Sequence, residues 1–438
     1  LHDIDSSKKE ETYAKEVLSD SPDQDIQRFF EIDISEFAKV PGSPISYYTP
    51  EEIRSLHDTE EKIDAERAGI DGENIADAVQ GLSSGNNDRF LRNHWETMGV
   101  EGYRPISRGG SDAWIQPHTT QTVYWNSGKQ IKRTSGSLIR NEQYYGREGL
   151  TWTYIKETGR RFGYFPEDGL FDYAGSMLFP RGDRSLWSML AVLNSNLYHA
   201  LVLSITIERH WNVGELGRLP WKEALEENSQ LEEYARKQYE LMTRLRSGDP
   251  TSPYYVGPTL LLPNQSSQFH YSHPHTEIAD TTQEVSQDGS PQDLKKSAKS
   301  WEKERLRLEG RIENLASKID DLVFDSLSLS KDVREETKQE IFLRTSEDPE
   351  DREVPDPKSV PEVPENIDEQ VKDLVHHFAM VAVQEENDGI VPLHGVNDQP
   401  NMLDHIVEQF EDTYGEHAED RLVEVDEILG AESAAEEA

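Results

Sequence analysis

The 438 residues include no cysteine, and only 34% of them are hydrophobic. Without cysteine, disulfides, thiolate zinc sites and a cysteine nucleophile are excluded. No signal-peptide pattern opens the chain, and the longest apolar run, residues 186–207, is interrupted by Asn194 and His199 and is too polar to span a bilayer. We therefore expect a cytoplasmic protein without a membrane segment, with a buried helix over this run and some unstructured chain elsewhere.

Basic residues are also scarce. The chain has 45 Lys and Arg against 85 Asp and Glu, which gives a net charge of -40. Such an acidic composition is typical of proteins that work in molar salt, where the Debye length falls to about 3 Å and charges hardly repel one another. The composition predicts a halophilic cytosol, and the overall charge therefore says little about partners.

One segment reverses this charge. Residues 81–222 hold 17 basic against 13 acidic residues and seven of the eight tryptophans, and residues 103–163 hold ten basic against four acidic. Cations interleaved with aromatic rings are what a polyanion-binding surface needs, because cations contact phosphates and rings stack on bases. The alternative is an ordinary solvated surface. We expect Trp152, Phe165 and Phe171 to lie in the core.

The pattern of turns and periodicities predicts an α+β fold. Short strand signals with glycine-containing turns fill residues 80–222, whereas helical periodicity dominates downstream, and residues 1–36 read as a charged helix with a connection. Apolar residues from Leu308 to Leu322 step by four and three, which predicts a long helix whose seam needs a partner. The predicted segments are a connector (1–79), a mixed α/β core (80–222), a long helical spacer (223–345) with a disordered insert (263–300), a proline-rich linker (346–366), a small helical C-terminal module (367–430) and an acidic tail (431–438).

A glycine-hinged loop at residues 81–90 carries side chains that can read DNA. Asn86, Asn87 and Arg89 are polar groups of the kind that make two hydrogen bonds to a purine edge. The alternative is a helix-capping turn in which Asn87 or Asp88 caps a helix. No metal is predicted, because three histidines at residues 270–275 lie in a polar stretch without supporting carboxylates.

Several local motifs occur in a fixed order, and together they resemble the target-recognition half of large adenine-specific DNA methyltransferases of phage-defence systems. The resemblance is strongest to BREX, or phage-growth-limitation (PglX-like), enzymes and next to fused restriction-modification methyltransferases. The motifs are 40–48 (VPGSPISYY), 81–92 (GLSSGNNDRFLR), 144–152 (YYGREGLTW), 169–172 (GLFD), 190–195 (LAVLNS), 214–220 (GELGRLP), 319–323 (IDDLV), 388–393 (DGIVPL) and 404–407 (DHIV).

The resemblance implies that residues 80–222 are a target-recognition core that binds double-stranded DNA. Enzymes of this kind also carry an Asn-Pro-Pro-Tyr type motif for the flipped adenine and a glycine-rich turn for S-adenosylmethionine. This chain has no Pro-Pro dipeptide and no Gly-x-Gly turn, so no catalytic or cofactor-binding residue is assigned. The expected DNA contacts are Asn86, Asn87, Arg89, Arg104, Arg108, Lys129, Lys132, Arg133, Arg140, Arg147, Arg160 and Arg161.

The missing motifs leave three interpretations open. The chain begins at Leu1, and we expect a fragment whose catalytic domain precedes it and whose role is DNA specificity, with S-adenosylmethionine bound elsewhere in the complete enzyme. Alternatively, it is a free-standing specificity subunit that docks on a separate methyltransferase through the 308–322 seam. The third interpretation is an acidic adaptor that binds only protein. Other defence-system proteins are possible partners in each case.

Overall fold

The computed structural model describes residues 3–4, 11–21, 24–59, 61–97, 100–110, 114–156, 159–206, 210–226, 228–262, 293–345, 354–386, 390–394 and 400–430. By its internal contacts the chain divides into two compact units, residues 1–239 with 313–352 and residues 240–312 with 353–438. The division falls inside two long helices. The mixture of helices and small sheets confirms the predicted α+β class.

The first unit begins with an antiparallel sheet in which β1 (Asp3–Ile4) pairs with β2 (Glu11–Ser21), and β2 pairs with β3 (Gln24–Asp33). The predicted helix over residues 1–36 is therefore wrong, except for the short α1 (Ile34–Phe37). The charge of this segment misled the prediction. The segment also contains the aromatic and β-branched residues Tyr13, Val17, Ile26 and Phe30, which favour strands.

Two four-stranded sheets form the rest of the β structure. The first has the order β4-β11-β8-β9 and is antiparallel throughout; the second has the order β10-β6-β7-β5, with β10 parallel to β6 and the other pairs antiparallel. Their strands are β4 (Ala76–Val79), β5 (Leu91–Asn93), β6 (Tyr103–Ser107), β7 (Gln121–Tyr124), β8 (Gly149–Trp152), β9 (Phe162–Phe165), β10 (Leu170–Phe171) and β11 (Met177–Pro180).

The core of this unit is aromatic. Every residue of β8 and β9 is buried, and Trp152 lies opposite Phe162 in the register with ring centroids 6.0 Å apart. Trp152, Phe165 and Phe171 are 0%, 1% and 1% exposed, which confirms their predicted place in the core. A strand buried on both faces loses the alternation of polar and apolar residues.

Short helices complete the layer around the sheets. The apolar run that begins at residue 186 does not form one helix. The first helix, α5 (Leu186–Leu193), ends at Asn194, and Ser195 caps the second, α6 (Asn196–Ile205). The Ser195 hydroxyl accepts a hydrogen bond from the Tyr198 amide at 3.3 Å. Among the described residues no single helix is long and apolar enough to cross a membrane; α5 and α6 pass that test only as a pair bent by 67°. These helices are α2 (Glu51–Leu56), α3 (Ala65–Ala68), α4 (Asn87–Phe90), α5 (Leu186–Leu193), α6 (Asn196–Ile205) and α7 (Val213–Gly217).

Three longer helices follow, α8 (Ser229–Leu245), α9 (Leu294–Ser326) and α10 (Lys331–Thr345). The predicted long helix is confirmed by the 33 residues of α9. Three of its five seam residues, Leu308, Ile312 and Ile319, are only 3%, 2% and 3% exposed, and Leu315 and Leu322 are half-buried. The predicted insert at 263–300 lies outside the described residues up to 292, and its last part from Leu294 belongs to α9.

The second unit contains a small helical module. It consists of α11 (Ile367–Glu385), α12 (Met402–Tyr414) and α13 (Ala418–Leu429). Val371, Leu374 and Phe378 of α11 lie on one face at helical spacing and pack with Ile406 and Phe410 of α12 in one buried cluster. The three histidines at 270–275 and the acidic tail at 431–438 lie outside the described residues.

Candidate nucleic-acid interface

The basic stretch, residues 103–163, contributes β6 and β7 to the sheet β10-β6-β7-β5 of the first unit. Between β7 and β8 the chain makes a long loop with three 3₁₀ turns, Asn126–Gly128, Ile131–Arg133 and Glu142–Tyr144. The loop is anchored to residues 82–83 because Ser83 and Leu138 exchange backbone hydrogen bonds of 2.6 and 2.9 Å. The loop therefore has a defined position beside the Gly81–Phe90 region of the sequence.

Gly85 allows the two loops to approach closely. Its φ is +72°, and a Cβ there would lie 2.7 Å from the Ser137 nitrogen and 2.8 Å from the Ser135 oxygen. Both the left-handed backbone and the close contact require glycine. The turn at residues 84–89 is thus packed directly against the turn at residues 134–138.

Asn86 and Asn87 lie on the surface, but their amide oxygens are used inside the protein. The Asn86 Oδ1 accepts from the Arg89 amide at 3.0 Å and caps α4, and the Asn87 Oδ1 accepts from the Ser84 hydroxyl at 2.6 Å. The capping alternative is correct for this turn, although Asn86 rather than Asn87 or Asp88 is the cap. Reading a purine through two hydrogen bonds needs the amide oxygen as well as the nitrogen, and each oxygen here already accepts one hydrogen bond inside the protein.

Exposed cations gather on these loops. Arg89 donates to the Gln130 Oε1 at 3.3 Å, and Lys132 pairs with both oxygens of Glu142 at 2.8 Å. Lys129 and Arg133 are exposed, and their side chains have no polar partner in the part of the chain that the structure describes. We call the six exposed cations the cationic rim: Arg89, Lys129, Lys132, Arg133, Arg140 and Arg147.

Two of the rim arginines are held against rings. The Arg140 guanidinium lies 5.7 Å from the Tyr173 ring centroid, and that of Arg147 lies 5.2 Å from Tyr144 and 5.3 Å from Phe179. Stacking leaves the guanidinium edge free for hydrogen bonds to an anion. Both residues keep their charge available to a polyanion.

Arg104 and Arg108 are engaged with carboxylates. Arg104 donates to the Asp168 backbone oxygen at 2.6 Å and to its Oδ1 at 2.9 Å, and Arg108 donates to the Asp172 Oδ2 at 3.0 Å. The Arg104 and Arg108 side chains are 28% and 35% exposed. They border the rim, but their first partners are within the protein.

Arg160 and Arg161 are not on the surface, and their predicted contact with DNA is corrected. They are 9% and 1% exposed. Arg160 donates to the Glu313 Oε2 at 2.6 Å and lies over the Trp114 ring, and the Arg161 guanidinium lies 3.6 Å from the Trp211 ring centroid. Both arginines immediately precede β9, and this buried aromatic strand brings them into the interior.

A buried hydrogen-bond network that the sequence did not predict supports the loop. The Asp77 carboxylate accepts from Tyr144 Oη at 2.7 Å, from Asn74 at 2.9 Å and from Arg181 at 2.7 Å. Burial alone would raise the pKa of Asp77, but the hydrogen bonds from Arg181, Asn74 and Tyr144 outweigh it and lower that pKa. Asp77 stays charged and fixes Tyr144, against which Arg147 stacks. Asp77 and Arg181 are 104 positions apart, so no local pattern predicts their contact.

Comparison with known proteins gives two relatives. No family model matches the chain. It is 29% identical over 221 residues to the adenine-specific methyltransferase BrxX of Escherichia coli O9:H4 (strain HS), a match covering 47% of this chain and 17% of that protein. It is 24% identical over 242 residues to the adenine-specific methyltransferase PglX of Lacticaseibacillus casei (strain Zhang), covering 50% and 19%. The chain is thus homologous to BREX adenine-specific methyltransferases over about half its length, and the matches span less than a fifth of either relative.

Proposed function

We propose that this chain is the DNA-recognition part of an S-adenosylmethionine-dependent, adenine-specific (N6) DNA methyltransferase of a phage-defence system. The single observation that carries the proposal is the similarity to BrxX and PglX. A methyltransferase of this type must hold a duplex and select a sequence before it extrudes the adenine. The cationic rim supports the assignment of that task to the first unit.

The rim divides the task between two kinds of contact. Lys129, Lys132 and Arg133 bind phosphates: the first and third are exposed, and the Lys132–Glu142 pair is about half exposed, so that it contributes at most about 1 kcal/mol and is readily exchanged for a phosphate. Arg89 contacts a base edge, because a guanidinium can donate two hydrogen bonds to a guanine and because Arg89 follows directly on the capped turn at Asn86, with only one 3.3 Å side-chain hydrogen bond, to Gln130, among the described residues. Phosphate contacts position the duplex, and base contacts select it.

S-adenosylmethionine belongs to the complete enzyme. Cofactor turns of this type follow a parallel strand with a glycine-rich loop. Among the named strands of the described residues only β10 and β6 are parallel, and β10 has two residues. The residues present do not fit the cofactor, so the partner we propose is a methyltransferase catalytic domain or subunit. We assign no docking role to the 308–322 seam, because Leu308, Ile312 and Ile319 are buried and Leu315 and Leu322 are half-buried.

Selection from a random duplex library tests this function. The full chain is immobilised, a pool of duplexes is passed over it in several rounds, and the retained DNA is sequenced. We expect the wild-type chain to enrich one site and the Arg89→Ala variant to show a different enrichment at that site. Retention without any enriched sequence, or no retention at all, would contradict a role in DNA specificity.

A further inference from the structure

Two apolar side chains next to the cationic rim are unusually exposed. Tyr173 is 46% and Leu138 is 45% exposed. Leu138 pairs with Ser83 through two backbone hydrogen bonds, and the Tyr173 amide donates to the Leu82 oxygen at 3.0 Å. Residues 82–83 thus run between the two. Neighbouring positions on paired strands share a face of the sheet, and Ser83, Leu138 and Tyr173 are all exposed whereas Leu82 is buried.

The hydrogen bonds that hold the backbone at Tyr173 are made by backbone groups and by the neighbouring Asp172 and Ser176 side chains, not by the Tyr173 ring. The Asp172 Oδ1 accepts from the Ala174 and Gly175 amides at 2.9 and 2.7 Å, and the Ser176 hydroxyl donates to the Tyr173 oxygen at 3.1 Å. A Cβ on Gly175 would lie 2.1 Å from the Ser107 oxygen, so the turn is packed tightly on β6. The Tyr173 ring therefore stands on a rigid support.

A cation lies directly beside this apolar pair. Arg140 lies two residues after Leu138 and stacks its guanidinium 5.7 Å from the Tyr173 ring centroid. The adjacent carboxylate of Asp172 is occupied by Arg108 at 3.0 Å and by the turn amides. An aromatic and an aliphatic side chain next to a cation match the chemistry of DNA, in which apolar base faces lie between phosphates.

We propose that Tyr173 and Leu138 form an apolar wedge that packs against base faces at an unstacked step of duplex DNA. This inference rests on the proposed function. Extrusion of a base leaves two base faces without a neighbour, and apolar side chains that fill such a step offset part of the lost stacking. The rigid turn keeps the ordering entropy of the wedge low, and Arg140 places a cation beside the flanking phosphate.

Binding to a paired duplex and to the same duplex with one central abasic site tests the wedge. The abasic duplex has already lost a stacked base, so a wedge binds it without the cost of unstacking. Fluorescence anisotropy is measured with the full chain at the lowest salt at which circular dichroism shows it folded. We expect wild type to prefer the abasic duplex by about tenfold, the size expected for one stacked base.

The variants separate the wedge from DNA flexibility. Tyr173→Ala and Leu138→Ser should each reduce the preference, Tyr173→Ala to below about twofold, while binding to the paired duplex changes little. Tyr173→Phe should retain it, as should Ile155→Ala, a matched control at an apolar residue that is 56% exposed. If the paired duplex binds but Tyr173→Ala keeps the full preference, or wild type has none, the wedge is wrong and the proposed function stands. If neither duplex binds, both are wrong.

Discussion

The Asn86 side chain accepts a hydrogen bond of 3.0 Å from the backbone amide of Arg89 and thereby caps α4. The same amide oxygen is the atom that a purine-reading asparagine would present to DNA. The cap occupies one of the two lone pairs of this oxygen and fixes the direction of the side chain. In this turn, Arg89 is the better candidate for base reading, and Asn86 positions its backbone.

Replacing Asn86 distinguishes a cap from a base contact. Asn86→Ala should lower the free energy of unfolding by about 1 kcal/mol, whereas Asn86→Ser keeps a capping oxygen and should recover most of it. Chemical denaturation in molar salt measures both, and binding to a preferred duplex is measured in parallel. If Asn86→Ser stays fully stable but relaxes specificity at one base pair, Asn86 reads DNA and the capping role is secondary.

The free energy of unfolding should fall at mildly acidic pH because His199 is buried in its uncharged form. Burial, and then the nearby charges of Arg161, Lys156 and Arg160, lowers the pKa of His199 to about 3. An unfolded histidine titrates near 6.5, so below that pH only the unfolded chain takes up the proton. The stabilisation is complete above pH 6.5 and is lost as the pH falls towards 3.

This effect is measured by denaturation at pH 7 and pH 5. Wild type should lose about 2 kcal/mol more than His199→Leu between the two pH values. His210→Leu, the same substitution at an exposed histidine, is the control. Parallel pH profiles for wild type and His199→Leu would show that His199 does not govern the acid sensitivity.

The chain alone should not bind S-adenosylmethionine. It lacks a Pro-Pro dipeptide and a Gly-x-Gly turn, and its sheets are almost entirely antiparallel among the described strands. Isothermal titration calorimetry of the full chain, with an active methyltransferase as positive control, provides the measurement. Saturable binding tighter than about millimolar, or about -4 kcal/mol, would contradict this expectation.

Folding should require salt. Residues 223–438 carry 51 acidic against 20 basic residues, and their repulsion is unscreened in dilute buffer. Circular dichroism during a potassium chloride titration should show cooperative folding as salt rises, whereas sucrose at equal osmolality should restore much less structure. A cooperative fold that persists in dilute buffer would count against the halophilic interpretation.

Regular patterns in the sequence predicted the elements whose signals are local. The short strand signals predicted across residues 80–222 correspond to strands such as β7 and β9, and the spacing by four and three from Leu308 to Leu322 correctly indicated α9. The break between α5 and α6 was missed because Asn194 and Ser195 act as caps only in a three-dimensional context. A polar pair inside an apolar run is equally compatible with one amphipathic helix.

The candidate site shows why charge counting has a limit. Arg133 and Arg160 contribute equally to the local excess of positive charge, but Arg160 finds Glu313, 153 residues away, and is buried. Conversely, Tyr173 was not predicted as a site residue, because its exposure depends on backbone pairing with Leu82. Partners distant in the sequence decide which cations and rings remain on the surface.

The central claim, that the cationic rim faces DNA, is tested most directly by duplex binding at two salt concentrations. The double variant Lys132→Ala/Arg133→Ala should bind all sequences more weakly, and the slope of log K against log salt should fall by about one unit per lost phosphate contact. The control is Arg307→Ala/Arg311→Ala, which makes the same charge change at two exposed positions of α9. We expect the control to bind like wild type. Equal losses of affinity and slope in the two double variants would contradict the claim.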